Sequence, residues 1–588
     1  MHIRNITLAL LAAFALFACD KKPAEAITLD ARPSELSFDA AGGTQELTVT
    51  CGARPLVTCT SDWISIKEGT YASNTLPVRI TAGPNTDLST RTATLRIIGD
   101  KQNLTVTVTQ DPRKVEISVS EDSFTFSRFG GEVEFTVTST GKPQVTSEAD
   151  WCGVIVGASD SQNHTRIKLQ AAANPTDQAQ TGTVTVKNGP DRVTVQVSRE
   201  AGGNIPVATT EALTPQQVFD AMAPGWNLGN QMDAINNGVS GETVWGNPKC
   251  TQATMDGVKA AGFKAVRICV TWEGHIGPAP AHRLEEKWLD RVAEIVDYAE
   301  KAGLVAIVNT HHDESYWLDI AKAYGDPARN AQVKNEIFCV WTQIAQRFAD
   351  KGEWLVLESF NEIQDGGWGW SNEFRKDPQA QYRVLNEWNQ IFVDAVRSTG
   401  GRNATRWLGI PGYAANPGFT VAGLEFPKDY TTGNRLIVAA HDYDPYNYTL
   451  ANPLVRQWGH TADADKRVSD RDEANLVSVF DNLKAAYVDK GLPVYLGEMG
   501  CSRHEAADLP YQRYYMEYFC KGAAERVLPM FLWDNGYSGS GSETHAYIDH
   551  ATGQFVNDES RTLVELMLKA VSVKDPAYTL ESVYESAP

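Results

Sequence analysis

The sequence predicts a multidomain chain: two all-β, immunoglobulin-like sandwiches followed by an α/β (β/α)8 barrel. Three observations carry this. A segment repeats 88 residues further on, Gly42 matching Gly130 and Trp63 matching Trp151. After residue 213, eight short apolar runs alternate with stretches of helical periodicity. Nearly every one of those runs ends, on its C-terminal side, in polar side chains. At 588 residues the chain is too long for one core, and 42% hydrophobic with 21% charged residues is a globular composition.

Residues 1–26 read as a targeting segment and tether. His2 and Arg4 precede an apolar run, Ile6 to Ala18, in which only Thr7 is polar. That run is too short to cross a bilayer of about 30 Å as a helix. It closes Leu16-Phe17-Ala18-Cys19, which resembles a bacterial lipobox. The resemblance implies lipidation at Cys19 and a chain anchored to the outer membrane, on the cell surface or the periplasmic face. No Cys-x-x-Cys pair follows, so a zinc ribbon or redox motif is unsupported. Cys51 and Cys59 have a spacing that can bridge a hairpin, whereas Cys250, Cys269, Cys339, Cys501 and Cys520 sit in apolar contexts that suit buried thiols.

Residues 27–112 and 113–200 are the two repeat units. Each alternates apolar and polar residues, as in Leu104 to Thr109 and Val193 to Val197, which predicts about seven antiparallel strands per unit. Trp63 and Trp151 are expected between the sheets. The Gly-Gly hairpin, the Asp-Trp pair and the closing strand resemble the BACON domain, a module found ahead of catalytic domains in gut Bacteroidetes enzymes. That family implies carbohydrate binding. A spacer is the preferred reading, because neither unit shows an aromatic platform.

Residues 201–212 form a Gly- and Pro-containing linker, and 213–588 the barrel. Its strand candidates are 225–228, 266–270, 305–310, 355–360, 406–410, 436–440, 494–497 and 528–533. Leu284, Trp288, Leu289, Val292, Ile295, Val296 and Ala299 mark one buried helix face, with Gly303 placed for a left-handed cap. Residues 384–396 mark another, and the fifth helix is weak, at 420–424. A doubly wound sheet would alternate likewise, but neither a G-x-G-x-x-G fingerprint nor a P-loop is present.

The strand ends bring Arg267, then Thr310-His311-His312-Asp313, Asn361-Glu362, His441-Asp442-Tyr443, Glu498 and Trp533-Asp534-Asn535. Strand C-termini face the mouth of a parallel barrel, and two carboxylates there are the minimum for cutting a glycosidic bond. Net charge is -20 with no basic run, which excludes nucleic acid and anionic lipid as electrostatic partners. Fifteen tryptophans are compatible with stacking on sugars.

These strand ends, together with Gly225 to Asn230 and Glu242 to Pro248, resemble glycoside hydrolase family 5, subfamily 4. The resemblance implies Glu362 as general acid/base and Glu498 as nucleophile. Asn361 is implied to bind the sugar 2-hydroxyl, Arg267 and Tyr443 to orient Glu498, and His441 to sit near Glu362. His311 would touch the reacting sugar, with Trp533 stacked beneath it, and His312 is a further substrate-binding candidate. Arg267 is expected to lower the pKa of Glu498, and Glu362 to hold a raised one. Glu358, four residues before Glu362, is expected to be a structural acid paired with a base. Ile363 and Cys269 stand where many relatives have proline. A cis Trp533–Asp534 peptide is expected as in relatives.

The implied function is a retaining endo-β-1,4-glucanase, monomeric, without metal or organic cofactor, with xyloglucan the favoured substrate. Trp368 and Trp370 suit a platform that tolerates branches, and Trp245, Trp272, Trp317 and Trp458 are further stacking candidates. Cellulose or mixed-linkage glucan, a mannanase or xylanase of the same clan, and a glycan-binding protein on an inactive barrel are the alternatives.

Overall fold

The computed structural model describes residues 27–114, 117–202 and 205–588, so Cys19 and the targeting segment lie outside the described residues. The chain divides into two compact units. One is built on the described residues up to 118, with the short pieces 138–140 and 188–191, and the other holds the rest.

The first sandwich orders Asp30–Arg32, Gly43–Thr50, Thr75–Ala82 and Ile64–Glu68 in one sheet. Glu35–Phe38, Gln102–Gln110, Arg91–Gly99 and Leu56–Thr58 form the other. Alternate residues such as Leu47, Val49, Leu76, Val78, Ile80, Leu95, Ile97, Val106 and Val108 fill the space between them. Trp63 packs at the edge of that core beneath the Arg91 guanidinium, 4.5 Å from its ring. In the second sandwich Trp151 is buried, edge-on to Phe126 and beneath Arg199. The antiparallel expectation fails at one pair in each unit. Glu35–Phe38 runs parallel to Gln102–Gln110, and Ser123–Phe126 parallel to Asp191–Arg199. An early strand that crosses to the far sheet enters beside the last strand from the same end, which alternation cannot report. Cys51 and Cys59 are both free thiols, and Cys51 donates to Asp100 Oδ2 at 3.1 Å in place of a bridge.

The part of the chain after residue 212 holds a closed parallel barrel. Its strands are β1 (Gly225–Leu228), β2 (Ala265–Ile268), β3 (Val305–Val308), β4 (Leu355–Glu358), β5 (Leu408–Pro411), β6 (Leu436–His441), β7 (Val494–Met499) and β8 (Met530–Leu532). The helix Glu286–Ala302 buries Trp288, Val292, Ile295, Val296 and Ala299 and ends at Gly303, whose φ of 71° supplies the left-handed cap. Pro378–Ser398 starts at Asp377, whose side chain accepts from Ala380 N. The weak fifth helix is real but short, Pro417–Gly423.

The barrel interior is layered. At the N-terminal end the helix Pro215–Met222 closes the ring, Val218 and Met222 clustering with Ala265, Ile307, Val356, Ile437 and Phe531. One pleat further along, the inward residues become polar: Asn227, Arg267, Asn309, Glu358 and Tyr495. Above them lies the mouth.

Candidate active site

The polar layer is organised by Arg267, fully buried on β2. Its Nη2 donates to Glu358 Oε1 at 2.7 Å and to Asn361 Oδ1 at 2.7 Å, and its Nη1 donates to Glu498 Oε1 at 2.8 Å. Glu358 also accepts from Tyr495 Oη at 2.6 Å and Asn309 Nδ2 at 3.0 Å. Glu358 is thus the paired structural acid expected of it. Cys269 lies beside the same arginine, its Sγ 3.4 Å from Nη1.

Glu498 is completed by Tyr443, whose hydroxyl donates to Oε2 at 2.9 Å. Glu362 accepts from His441 Nδ1 at 2.8 Å and from Trp368 Nε1 at 2.7 Å. An oxygen of Glu362 and an oxygen of Glu498 lie within 4.8 Å of each other. A bulge makes that possible. Register shifts between Ala440 and His441, so that Ala440 pairs with Leu496 but His441 pairs with Glu498. Gly497 takes up the extra residue, and Glu498 turns inward although it is three positions from inward-facing Tyr495.

The expected pull of Arg267 on Glu498 is present but outweighed, and the raised value expected of Glu362 is reversed. Burial pushes Glu498 up against the pull of His441 and Arg267. Arg267 spends most of its donors on Glu358 and Asn361, so Glu498 receives only one of them. At Glu362 burial acts upward too, but the His441 and Trp368 hydrogen bonds outweigh it and hold the carboxyl below its ordinary value.

The carboxyls open into a cavity of about 570 Å³ lined by His311, His312, Asn361, Trp368, Trp370, His441, Tyr443 and Trp533 among others. Trp533 is nearly buried and lies parallel to the His311 ring at 5.8 Å. Trp368 and Trp370 are exposed at the rim. Trp245 is exposed too but sits outside the lining, tilted over His312 at 5.7 Å. Trp272, Trp317 and Trp458 are buried and carry no stacking face, which corrects their selection. Trp272 is held by the Asn309 carbonyl, and Trp458 by three tyrosine rings. The Trp533–Asp534 peptide is not cis, against expectation; the cis bonds among the described residues all precede proline.

Sequence reasoning missed Asn416, Tyr446, Leu450 and Glu543, which also line the cavity. They come from the loops after β5, β6 and β8, where position alone was the available signal.

Asp233, His311 and His312 have the ligand types of a metal site, with the two imidazole Nε2 atoms 3.9 and 3.7 Å from Asp233 Oδ2. The tautomer opposes it. Asn309 Oδ1 accepts from Val270 N, so its Nδ2 donates to His311 Nδ1 at 3.2 Å, which puts the His311 proton on Nε2. Burial keeps this ring neutral, well below the usual histidine value. His311 therefore offers a donor to a sugar hydroxyl rather than a lone pair to a cation.

Residues 229–539 match the family described as "Cellulase (glycosyl hydrolase family 5)". The chain belongs to glycoside hydrolase family 5. Residues 56–111 match the BACON "Putative binding domain, N-terminal", and 116–200 the "Viral BACON domain". Within the family the chain is 36% identical over 346 residues to "Endoglucanase A" of Paenibacillus barcinonensis, covering 56% of this chain and 85% of that one. The structure of a "GH5-4 broad specificity endoglucanase" from Bacteroides salanitronis is 47% identical, covering 63% and 97%, with a TM-score of 0.60. A Bacteroides ovatus "GH5 xyloglucanase in complex with a XXXG heptasaccharide" is 26% identical, covering 78% and 100%, with a TM-score of 0.56. The two sandwiches and the eight-stranded barrel are thus BACON domains ahead of a family 5 domain.

Proposed function

We propose that this chain is a retaining endo-β-1,4-glucanase of subfamily 4 that acts on plant cell-wall glucan, with xyloglucan the first substrate to test. The observation that carries this reading is the placement of two carboxyls across the barrel mouth with an oxygen of one within 4.8 Å of an oxygen of the other. Retention needs about 5 to 5.5 Å between them and inversion about 6.5 Å or more. Glu498 attacks the anomeric carbon while Glu362 gives its proton to the leaving oxygen, and a glycosyl ester forms on Glu498. Glu362, now ionised, takes a proton from water, which attacks the same carbon and frees Glu498. Arg267 and Tyr443 steady the charge that returns to Glu498 as the ester breaks. Asn361 gives its oxygen to Arg267, which leaves its amide N–H groups for the 2-hydroxyl.

An open cleft with exposed Trp368, Trp370 and Tyr446 at its rim suits a chain bound along its length, hence internal cleavage. The relatives named endoglucanase and xyloglucanase favour glucan over mannan or xylan. The sequence around Cys19 supports a lipid-anchored location on the cell surface or the periplasmic face.

The test is hydrolysis of xyloglucan beside unbranched β-glucan, followed by proton NMR of the first products. Oligosaccharides from xyloglucan, released as the β-anomer, are expected. Initial release of the α-anomer would reject the double displacement, and inert glucans would reject the substrate class.

A further inference from the structure

We propose that Trp368 is a substrate-displaced latch on Glu362: its indole N–H occupies the carboxyl oxygen that must meet the leaving group, and an arriving glucan chain replaces it. This rests on the reading of Glu362 as proton donor.

Both oxygens of Glu362 are engaged. Oε1 faces His441 in the wall at 2.8 Å, and Oε2 accepts from Trp368 Nε1 at 2.7 Å. A leaving oxygen reaches Glu362 only through Oε2, because His441 is part of β6 and is buried. The indole can leave at little cost in burial, since Trp368 is 56% exposed whereas Trp533 on the floor is 8% exposed.

The backbone is built to carry it. Gly366, Gly367, Trp368 and Gly369 have φ of 110°, 53°, 50° and 71°, four successive residues in the region that glycine favours. Only Trp368 has a side chain, and a bulky residue there is an outlier. A Cβ on Gly366 or Gly367 would come within 2.6 Å of the Phe374 ring. Glycines on both sides of the tryptophan form a natural hinge. A stacking platform alone would present its face to the cleft, and nothing in that role requires the N–H edge to point at the acid.

Other groups facing Glu362 are His441 and Glu498 from β6 and β7, Tyr443, and His312 and Glu314 from the segment after β3, with Arg267 behind Asn361. None of them is altered by exchanging the indole for a phenyl ring.

The experiment measures the pH dependence of soluble β-1,4-glucan hydrolysis by the full chain, its Trp368→Phe variant and its Trp368→Ala variant. Phenylalanine keeps the ring and removes the N–H. The kcat/KM profile reports the free enzyme, and there one limb of the bell is expected to move up by about one pH unit in both variants. The kcat profile reports the loaded enzyme, in which the latch is already open, and it stays in place. Trp368→Ala also raises KM. An unmoved kcat/KM profile in Trp368→Phe overturns the latch and leaves a stacking surface. An equal shift in kcat overturns it as well, since the N–H would then remain on Glu362 throughout. Glu362→Gln separates the two ideas: if it retains wild-type hydrolysis, the acid assignment falls, and if it is inactive while Trp368→Phe is unmoved, only the latch falls.

Discussion

Glu358 is sealed beneath Glu362 and held by Arg267 Nη2 at 2.7 Å, while Glu362, four positions later, opens into the cleft. Two glutamates of one segment therefore have separable roles. Glu358→Gln is expected to lower unfolding stability by about 3 kcal/mol, because it removes one of the two carboxylates that pair with buried Arg267. Glu362→Gln is expected to keep stability and lose about 100-fold or more in kcat on glucan. Urea unfolding alongside kinetics checks the pair, and equal stability losses would contradict it.

Trp370 is 67% exposed, tilted against Phe419 at 5.4 Å, and lines the cleft away from the carboxyls' own hydrogen bonds. Trp370→Ala is expected to raise KM for polymeric glucan several-fold, on the order of 1 kcal/mol of stacking, with kcat little changed. A fall in kcat without a change in KM would place it in the chemistry instead.

His504 is buried against Tyr448, rings 4.3 Å apart, with Nε2 3.2 Å from the Tyr448 carbonyl. Burial pushes its pKa down to about 4. The unfolded chain takes up this proton near pH 6.5 and the folded chain only near pH 4, so stability is lost as pH falls through that window. By pH 5 this amounts to about 2 kcal/mol. His504→Phe keeps the stack and loses one hydrogen bond, so it is expected to be about 1 kcal/mol less stable than wild type at pH 8. At pH 5 the order reverses. Unfolding curves at the two pH values test this, and a constant gap would refute it.

Among the described residues of both sandwiches, the exposed large apolar side chains are aliphatic: Ile27, Leu56, Leu88, Ile98 and Ile155. Trp63 and Trp151 are covered by Arg91 and Arg199. Removing residues 27–112 is expected to leave kcat/KM on soluble xyloglucan unchanged within about twofold, as a spacer would. Retarded migration of the full chain in a glucan gel, lost on that deletion, would show a binding role.

The barrel and most of its site were legible because apolar runs, helical faces and strand-end polar residues repeat with fixed periods. Arg267, Asn361, Glu362, His441, Tyr443 and Glu498 meet as the strand ends suggest. What escaped has local causes. The bulge at Gly497 breaks strict alternation, and without it Glu498 would point outward from the ring. Trp272 and Trp458 look like any other tryptophan in sequence, since burial depends on distant partners such as Asn309, Tyr514 and Tyr518. The burial that raises Glu498 and the His441 and Trp368 hydrogen bonds that lower Glu362 are properties of the folded pocket that only geometry provides.

The ring of eight strands has a consequence for evolution. Glu362 and Glu498 are set across a closed frame of strands, whereas much of the cleft wall comes from the connecting segments. Exchange of those segments can therefore reshape the cleft while the spacing of the two carboxyls is kept.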